Sequence, residues 1–217
     1  MEPLKILYED AHLVICCKPV GVLSEDSESG RCMPQLLREH YLAQGQKHPY
    51  IATVHRLDKI TGGVMVFARS AAAASILSGQ VREHRFRKIY LAVVRGDPGQ
   101  GGIWRDMLGR DPVRRVTYIA REPGKDVRPA ELSYETLAVR EGLSLVRVTL
   151  HTGRTHQIRV QFSSRGLPLM GDIRYGSKAD CSPALWSTRL ALTHPVTGKP
   201  IDVSCPPPDA WPWNLFA

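Results

Sequence analysis

The chain has 217 residues, 43% hydrophobic and 23% charged, a composition that suits a globular domain with a sizeable core and excludes a disordered or fibrous chain. Lys and Arg outnumber Asp and Glu by 29 to 21, a net charge of +8 with a pI near 9.4, so a polyanion is the natural partner. The opening MEPLKILYED reads as no signal peptide, and no apolar run reaches the roughly 18–20 residues that span a bilayer, so a cytoplasmic protein with no membrane partner is expected.

KILYED and HLVICCKP read as two short strands, ended by the turn signal Lys18-Pro19-Val20-Gly21. PQLLREHYLAQ places Leu36, Leu37 and Tyr41 at helical spacing and predicts a helix. After IATV come His55-Arg56-Leu57-Asp58, a Thr-Gly-Gly turn and the apolar strand Val64–Ala68. Ser70 is placed to cap a following helix whose core face uses Ala73, Leu77 and Val81. FRKIYLAVVRG is a strand rich in β-branched and aromatic residues.

Residues 97–128, dense in Gly, Pro and Arg, read as a loop or a hairpin with a mobile basic tip. ELSYETLAV and LSLVRVTLH alternate apolar and polar residues across the turn Arg140-Glu141-Gly142, an antiparallel hairpin. THQIRVQFSSRG alternates like a strand over Ile158, Val160 and Phe162, but Thr155 as N-cap and Gly166 as terminator favour a helix. The tail CPPPDAWPWNLFA, 205–217, is too rich in proline for a helix and is expected to lay its tryptophans on the surface. The expected fold is α+β, a mostly antiparallel mixed sheet with flanking helices and a central cleft. Residues 1–217 are read as a single domain with room for two lobes.

Five cysteines without a Cys-x-x-Cys pair argue against a disulfide framework or a cysteine zinc site. Eight histidines without metal spacing, and the lack of cofactor fingerprints, predict no metal and no cofactor. Cations crowd one stretch: Arg82, Arg85, Arg87, Lys88 and Arg95, then Arg105, Arg110, Arg114, Arg115 and Arg121. Such a stretch suits phosphates. Three polar segments stand out. His55-Arg56-Leu57-Asp58 runs into a glycine turn, where backbone approaches a ligand closely. Lys88-Ile89-Tyr90 sits in an otherwise apolar strand, and Thr152–Val160 forms a polar block at a strand-to-helix turn. Singly, each has a bland reading: an ion pair or turn cap, a core tyrosine, a capped helix with solvated arginines.

Together, in this order, the segments resemble the RluA-like family of RNA pseudouridine synthases. Lys18-Pro19-x-Gly21 looks like that family's first motif, and His55-Arg56-Leu57-Asp58 with Thr61-x-Gly63 like its catalytic motif. Lys88-x-Tyr90, the Thr152-to-Gly176 block with Gly171-Asp172-x-x-Tyr175-Gly176, and Leu192-x-His194-Pro195-x-Thr197-Gly198 match the rest. Gly62 stands where the family usually has serine, and Gln161 where a histidine is common. The first motif begins only eighteen residues in, so no S4-type module is expected before it, and a stand-alone catalytic domain is the expectation.

The resemblance implies an isomerase that breaks the N1–C1′ bond of uridine, turns the base and joins C5 to C1′. Asp58 would be the catalytic carboxylate, Arg159 its ion partner and Tyr90 the base for the final deprotonation at C5. Leu57, Thr61 and Ile158 would wall the pocket. Arg56 would brace the place vacated by the extruded base, with His55, Arg154, Arg114 and Arg115 as further RNA contacts. The implied substrate is a stem-loop of ribosomal or transfer RNA, met by a monomer. Two alternatives share these residues: a noncatalytic RNA-binding protein that kept the fold, and a base-excising glycosidase, which commonly pairs two carboxylates.

Overall fold

The computed structural model describes residues 4–28 and 30–217. The chain divides into two compact units. The first comprises residues 1–88 and 187–206, the second 89–186 and 207–217, so the division runs through two strands, β5 (Arg87–Arg95) and β10 (Leu185–Thr193).

The first unit is organised on β2 (Leu13–Lys18) and β4 (Gly62–Ala68), antiparallel partners in which every residue is buried. Continuous burial rather than alternation marks strands covered on both faces. Burying Leu13, Ile15, Val66 and Phe67 to zero exposure stabilises the unit by roughly 1.5–3 kcal/mol per side chain. β1 (Ile6–Glu9) pairs with β2, β3 (Ala52–Thr53) with the end of β4, and β10 with β4 and with β11 (Pro200–Ser204). Gly63 is required where it stands: its φ is +112°, and a Cβ there would lie 2.2 Å from the Ser187 carbonyl oxygen.

Helix α1 (Met33–Ala43) buries Met33, Leu37 and Tyr41, one i, i+4 stripe. Helix α2 (Ala71–Arg82) starts as expected, the Ser70 hydroxyl accepting from Ala73 N at 3.2 Å. Its core face differs from the expectation. Ala73 and Leu77 are buried, but the third position is Gln80, not Val81. The Gln80 amide donates to Thr193 O at 2.7 Å and accepts from Thr193 N at 3.1 Å, a buried polar group satisfied on both sides.

The second unit holds the strand order β5-β9-β8-β6-β7. Residues 97–128 do form a hairpin, β6 (Gly101–Asp111) with β7 (Val116–Ile119), at whose tip Asp111 Oδ1 accepts from Val113 N and Arg114 N. The long hairpin β8 (Arg128–Arg140) and β9 (Leu143–Leu150) turns at Glu141 and Gly142. Both have positive φ, +51° and +73°, as a two-residue turn of the right twist demands. Helix α3 (Gln157–Ser163) follows, so the helical reading of that segment holds. Thr155 does not cap it: His156, in the left-handed region at φ +55°, occupies the N-cap position. The tail also differs. Trp213–Phe216 form a 3₁₀ turn, and Trp213 and Phe216 pack on Val93, Met170 and Ala184 while Trp211 stays 50% exposed. Among the described residues, no helix is long and apolar enough to cross a membrane.

One polar knot ties the first unit. Asp10 accepts from His12 N at 2.7 Å, Leu13 N at 3.0 Å, Tyr8 OH at 3.0 Å and His194 Nε2 at 2.7 Å, while His194 Nδ1 accepts from Val196 N and Thr197 N. Burial alone would raise the Asp10 pKa, but these donors hold it down at about 2. A carboxylate lowered on folding contributes stability above its unfolded pKa and loses it as pH falls toward the folded value. Asp10→Asn should therefore be less stable than wild type at pH 7. In urea titrations most of the difference should be lost as pH falls from about 4 to about 2; a gap at pH 2 as large as that at pH 7 would show that it arises elsewhere.

Candidate active site

Asp58 lies in the extended loop that leads into β4, and the residues on either side of it are tied down. Leu57 donates its N–H to Ser24 Oγ at 3.0 Å and accepts the Ser24 hydroxyl on its carbonyl at 2.6 Å. The Lys59 carbonyl accepts from Gly21 N at 2.8 Å and from Lys18 Nζ at 3.3 Å. The Asp58 carbonyl accepts from Thr61 N at 2.9 Å, closing the turn toward Gly62. Asp58 itself is partly exposed.

Lys18, at the end of β2, has no exposed surface, yet its ammonium is satisfied by three carbonyls: Val22 at 2.6 Å, Pro19 at 2.9 Å and Lys59 at 3.3 Å. Burial lowers its pKa to about 8, against the opposing pull of the Asp58 charge. The Lys-Pro-x-Gly segment is thus the brace of the Asp58 loop.

The loop alternates in and out. Arg56 is exposed, its side chain 62% accessible, and pairs with Glu25 at 3.1 Å. His55 and Leu57 point inward, and Thr61 is buried. His55, expected as an RNA contact, lies on the inner side of this loop. Only 8% exposed, it accepts Val66 N on Nε2 at 3.1 Å and packs edge-on against Phe86. An extended segment that sends Arg56 to solvent must send its neighbour inward. Burial, with help from the nearby Lys88 ammonium, drops the His55 pKa to about 3, so the ring is neutral and its proton sits on Nδ1. The His55 Nδ1 and Thr61 Oγ1 atoms are buried and make no hydrogen bond among the described residues.

In the second unit, Tyr90 is buried on β5, and Ile158 and Arg159 are buried on α3. Arg159 meets Asp172 in a two-pronged pair, Nε–Oδ2 2.6 Å and Nη2–Oδ1 2.9 Å, with both side chains under 5% exposed. The guanidinium also lies over the Tyr175 ring, 4.8 Å from its centroid. Tyr175 is held in turn: its hydroxyl accepts from Thr117 N at 2.8 Å and meets His156 Nδ1 at 2.8 Å. The Gly171–Gly176 segment therefore supplies the carboxylate and the ring that orient Arg159, a role that sequence spacing alone did not assign. Gln157 is another residue with no assigned role. Its Oε1 accepts from Thr152 Oγ1 at 2.8 Å and Arg154 N at 3.0 Å, and its Nε2 donates to Glu131 O at 3.0 Å, closing the loop before α3.

Arg154 is partly buried, with Nε on the Pro129 carbonyl at 3.0 Å. Arg114 and Arg115 are exposed at the β6–β7 tip, where Arg174 donates to the Arg115 carbonyl at 3.2 Å. Among the described residues, no group of three or more His, Cys, Asp or Glu side chains is placed to hold a metal ion.

The fold is that of two solved human proteins. RNA Pseudouridylate Synthase Domain Containing 1 superposes with a TM-score of 0.79 at 24% identity, over 97% of this chain and 88% of that one. Domain Containing 4 gives 0.78 at 23%, over 94% and 88%. Residues 12–164 match the family described as RNA pseudouridylate synthase, and the chain belongs to that family, on its RluA-like branch. It is 36% identical to ribosomal large subunit pseudouridine synthase D of Nitrosomonas europaea, over 95% of this chain but 63% of that protein. It is 35% identical to the uncharacterized RNA pseudouridine synthase YhcT of Bacillus subtilis, over 94% of this chain and 69% of that one. The chain thus spans less than two thirds of the Nitrosomonas protein's length.

The buried Arg159–Asp172 pair yields a direct test. Asp172→Ala should lose about 3–5 kcal/mol, because it leaves a guanidinium buried without its carboxylate. Replacing both, as Arg159→Met with Asp172→Leu, should recover much of that loss in urea unfolding. A single variant as stable as wild type would show that the pair does not anchor α3.

Proposed function

We propose that this chain isomerises uridine to pseudouridine within RNA, with Asp58 as the catalytic carboxylate. The observation that carries the reading is the restraint on Asp58: a partly exposed carboxylate on a backbone tied at Leu57 by Ser24 and at Lys59 by Lys18 and Gly21. A reacting group held in one geometry avoids the entropy loss of finding it. Its carboxylate would attack C1′, or hold the sugar as uracil departs, and the base would turn and rejoin through C5. We assign Tyr90 to removal of the C5 proton and Arg159 to electrostatic support of the carboxylate, with Leu57, Thr61 and Ile158 as pocket walls.

A stacked uridine must leave its helix to react, at a cost of a few kcal/mol. Arg56 suits the vacated place. It is exposed, and its pair with the exposed Glu25 is of a kind whose loss costs little, about 0–1 kcal/mol. Arg114 and Arg115, exposed at the hairpin tip, fit phosphate contacts. Arg154 is a weaker candidate because its guanidinium already serves Pro129. The name of the Nitrosomonas relative, a ribosomal large subunit synthase, favours a ribosomal target over transfer RNA.

Asp58→Asn should keep the wild-type melting temperature and lose at least about a thousandfold in rate, ~4 kcal/mol of barrier. Release of tritium from [5-³H]uridine in RNA measures it. Turnover within tenfold of wild type in a folded variant would remove Asp58 from the chemistry.

A further inference from the structure

We propose that Lys88 is a binding residue for the target nucleotide, its ammonium meeting an anionic oxygen of that nucleotide beside the His55–Thr61 loop. The inference rests on the pseudouridine synthase reading and adds a residue that the reading does not use.

Strand alternation sets the direction. Phe86, Lys88 and Tyr90 fall on one face at a spacing of two residues, with Phe86 and Tyr90 buried and the Phe86 ring 5.8 Å from that of His55. Arg87, on the other face, is exposed and acts on Asp202. Lys88 is only partly exposed, and it stands two residues beyond Phe86, whose ring packs on that of His55, so its charge acts on the buried imidazole.

Its partners are what set it apart. The other lysine removed from water, Lys18, saturates its three N–H donors with three carbonyls. Four arginines of the same unit pair with carboxylates: Arg38 with Asp26, Arg56 with Glu25, Arg85 with Glu83 and Arg189 with Asp202. Lys88 has no ion pair and no hydrogen bond among the described residues, although it is partly withdrawn from water and burial lowers its pKa. An ammonium in that setting gains from an oxygen acceptor, most of all from one that carries negative charge. RNA supplies two. One is a phosphate oxygen flanking the target nucleotide. The other is a uracil carbonyl oxygen, which takes up charge as the N1–C1′ bond breaks and which a fixed cation would stabilise.

The test uses the full chain and an RNA that the wild type modifies. Lys88→Met keeps the aliphatic stem and removes the charge, and Lys88→Arg restores a cation. Dissociation constants across a salt series, single-turnover rates at saturating enzyme and thermal unfolding are measured for each. Lys88→Met is expected to lose at least tenfold in affinity or in saturating rate with an unchanged unfolding midpoint, and Lys88→Arg to recover part of the loss. With a phosphate partner the affinity falls and the slope of log K against log salt flattens by about 0.7–0.9. With a uracil oxygen the saturating rate falls and the slope stays. Should Lys88→Met fail to fold, Lys88→Gln carries the same readouts. Affinity and rate both within twofold of a working wild type in the charge-removed variant overturn the inference alone. A wild type that forms no pseudouridine overturns the functional reading and this inference together.

Discussion

An ammonium with no exposed surface decides how the first unit is built. Lys18 ends β2, the most thoroughly buried strand beside β4, and its three N–H donors go to the carbonyls of Pro19, Val22 and Lys59. Two of those lie on the turn that follows β2. The third lies across a separation of 41 residues, on the loop that carries Asp58. A buried cation that loses any one acceptor bears the cost of an unmet donor, so the two loops are locked to each other. Ser24 repeats the arrangement from the other side, holding both the N–H and the carbonyl of Leu57. Asp58 sits between these two anchors.

The second unit solves a similar problem with a different pair. α3 is short, and its residues 157–162 are all buried, so Arg159 is taken out of water along with its apolar neighbours. Asp172 grips it through two hydrogen bonds, and the Tyr175 ring lies against its face. A planar guanidinium gripped at its Nε edge and stacked on a ring has little freedom left to reorient. Lysine at this position would keep the charge and lose the geometry.

Much of this was legible in the sequence, for local reasons. The uninterrupted apolar runs gave β2 and β4, Ser70 gave the start of α2, and Glu141-Gly142 gave the β8–β9 turn, because each signal is written within a few residues. The motif order gave Asp58, Tyr90 and Arg159 as candidates by resemblance. What was hidden depends on partners distant in sequence. Ser24 looks like any loop serine until Leu57, 33 residues on, is placed against it. Asp172 becomes the partner of Arg159 only when the chain after α3 folds back. Gln80 displaced Val81 from the core face because its amide meets the backbone of Thr193, 113 residues away. The inward turn of His55 comes from the alternation around the exposed Arg56 and from the Val66 N–H it accepts, 11 residues on. Thr155 lost the cap to His156 because the loop before α3 is closed by the Gln157 side chain instead.

The central claim is that Asp58 turns this braced loop into a catalyst of uridine isomerisation. The most direct measurement is a carbodiimide-based map of pseudouridine in total RNA from cells lacking the protein, complemented with either the wild-type chain or Asp58→Asn expressed at equal level. The account predicts at least one uridine, in ribosomal RNA, that is modified with the wild-type chain and unmodified with the variant. Equal modification in both complemented strains, at every site that disappears on deletion, would contradict it.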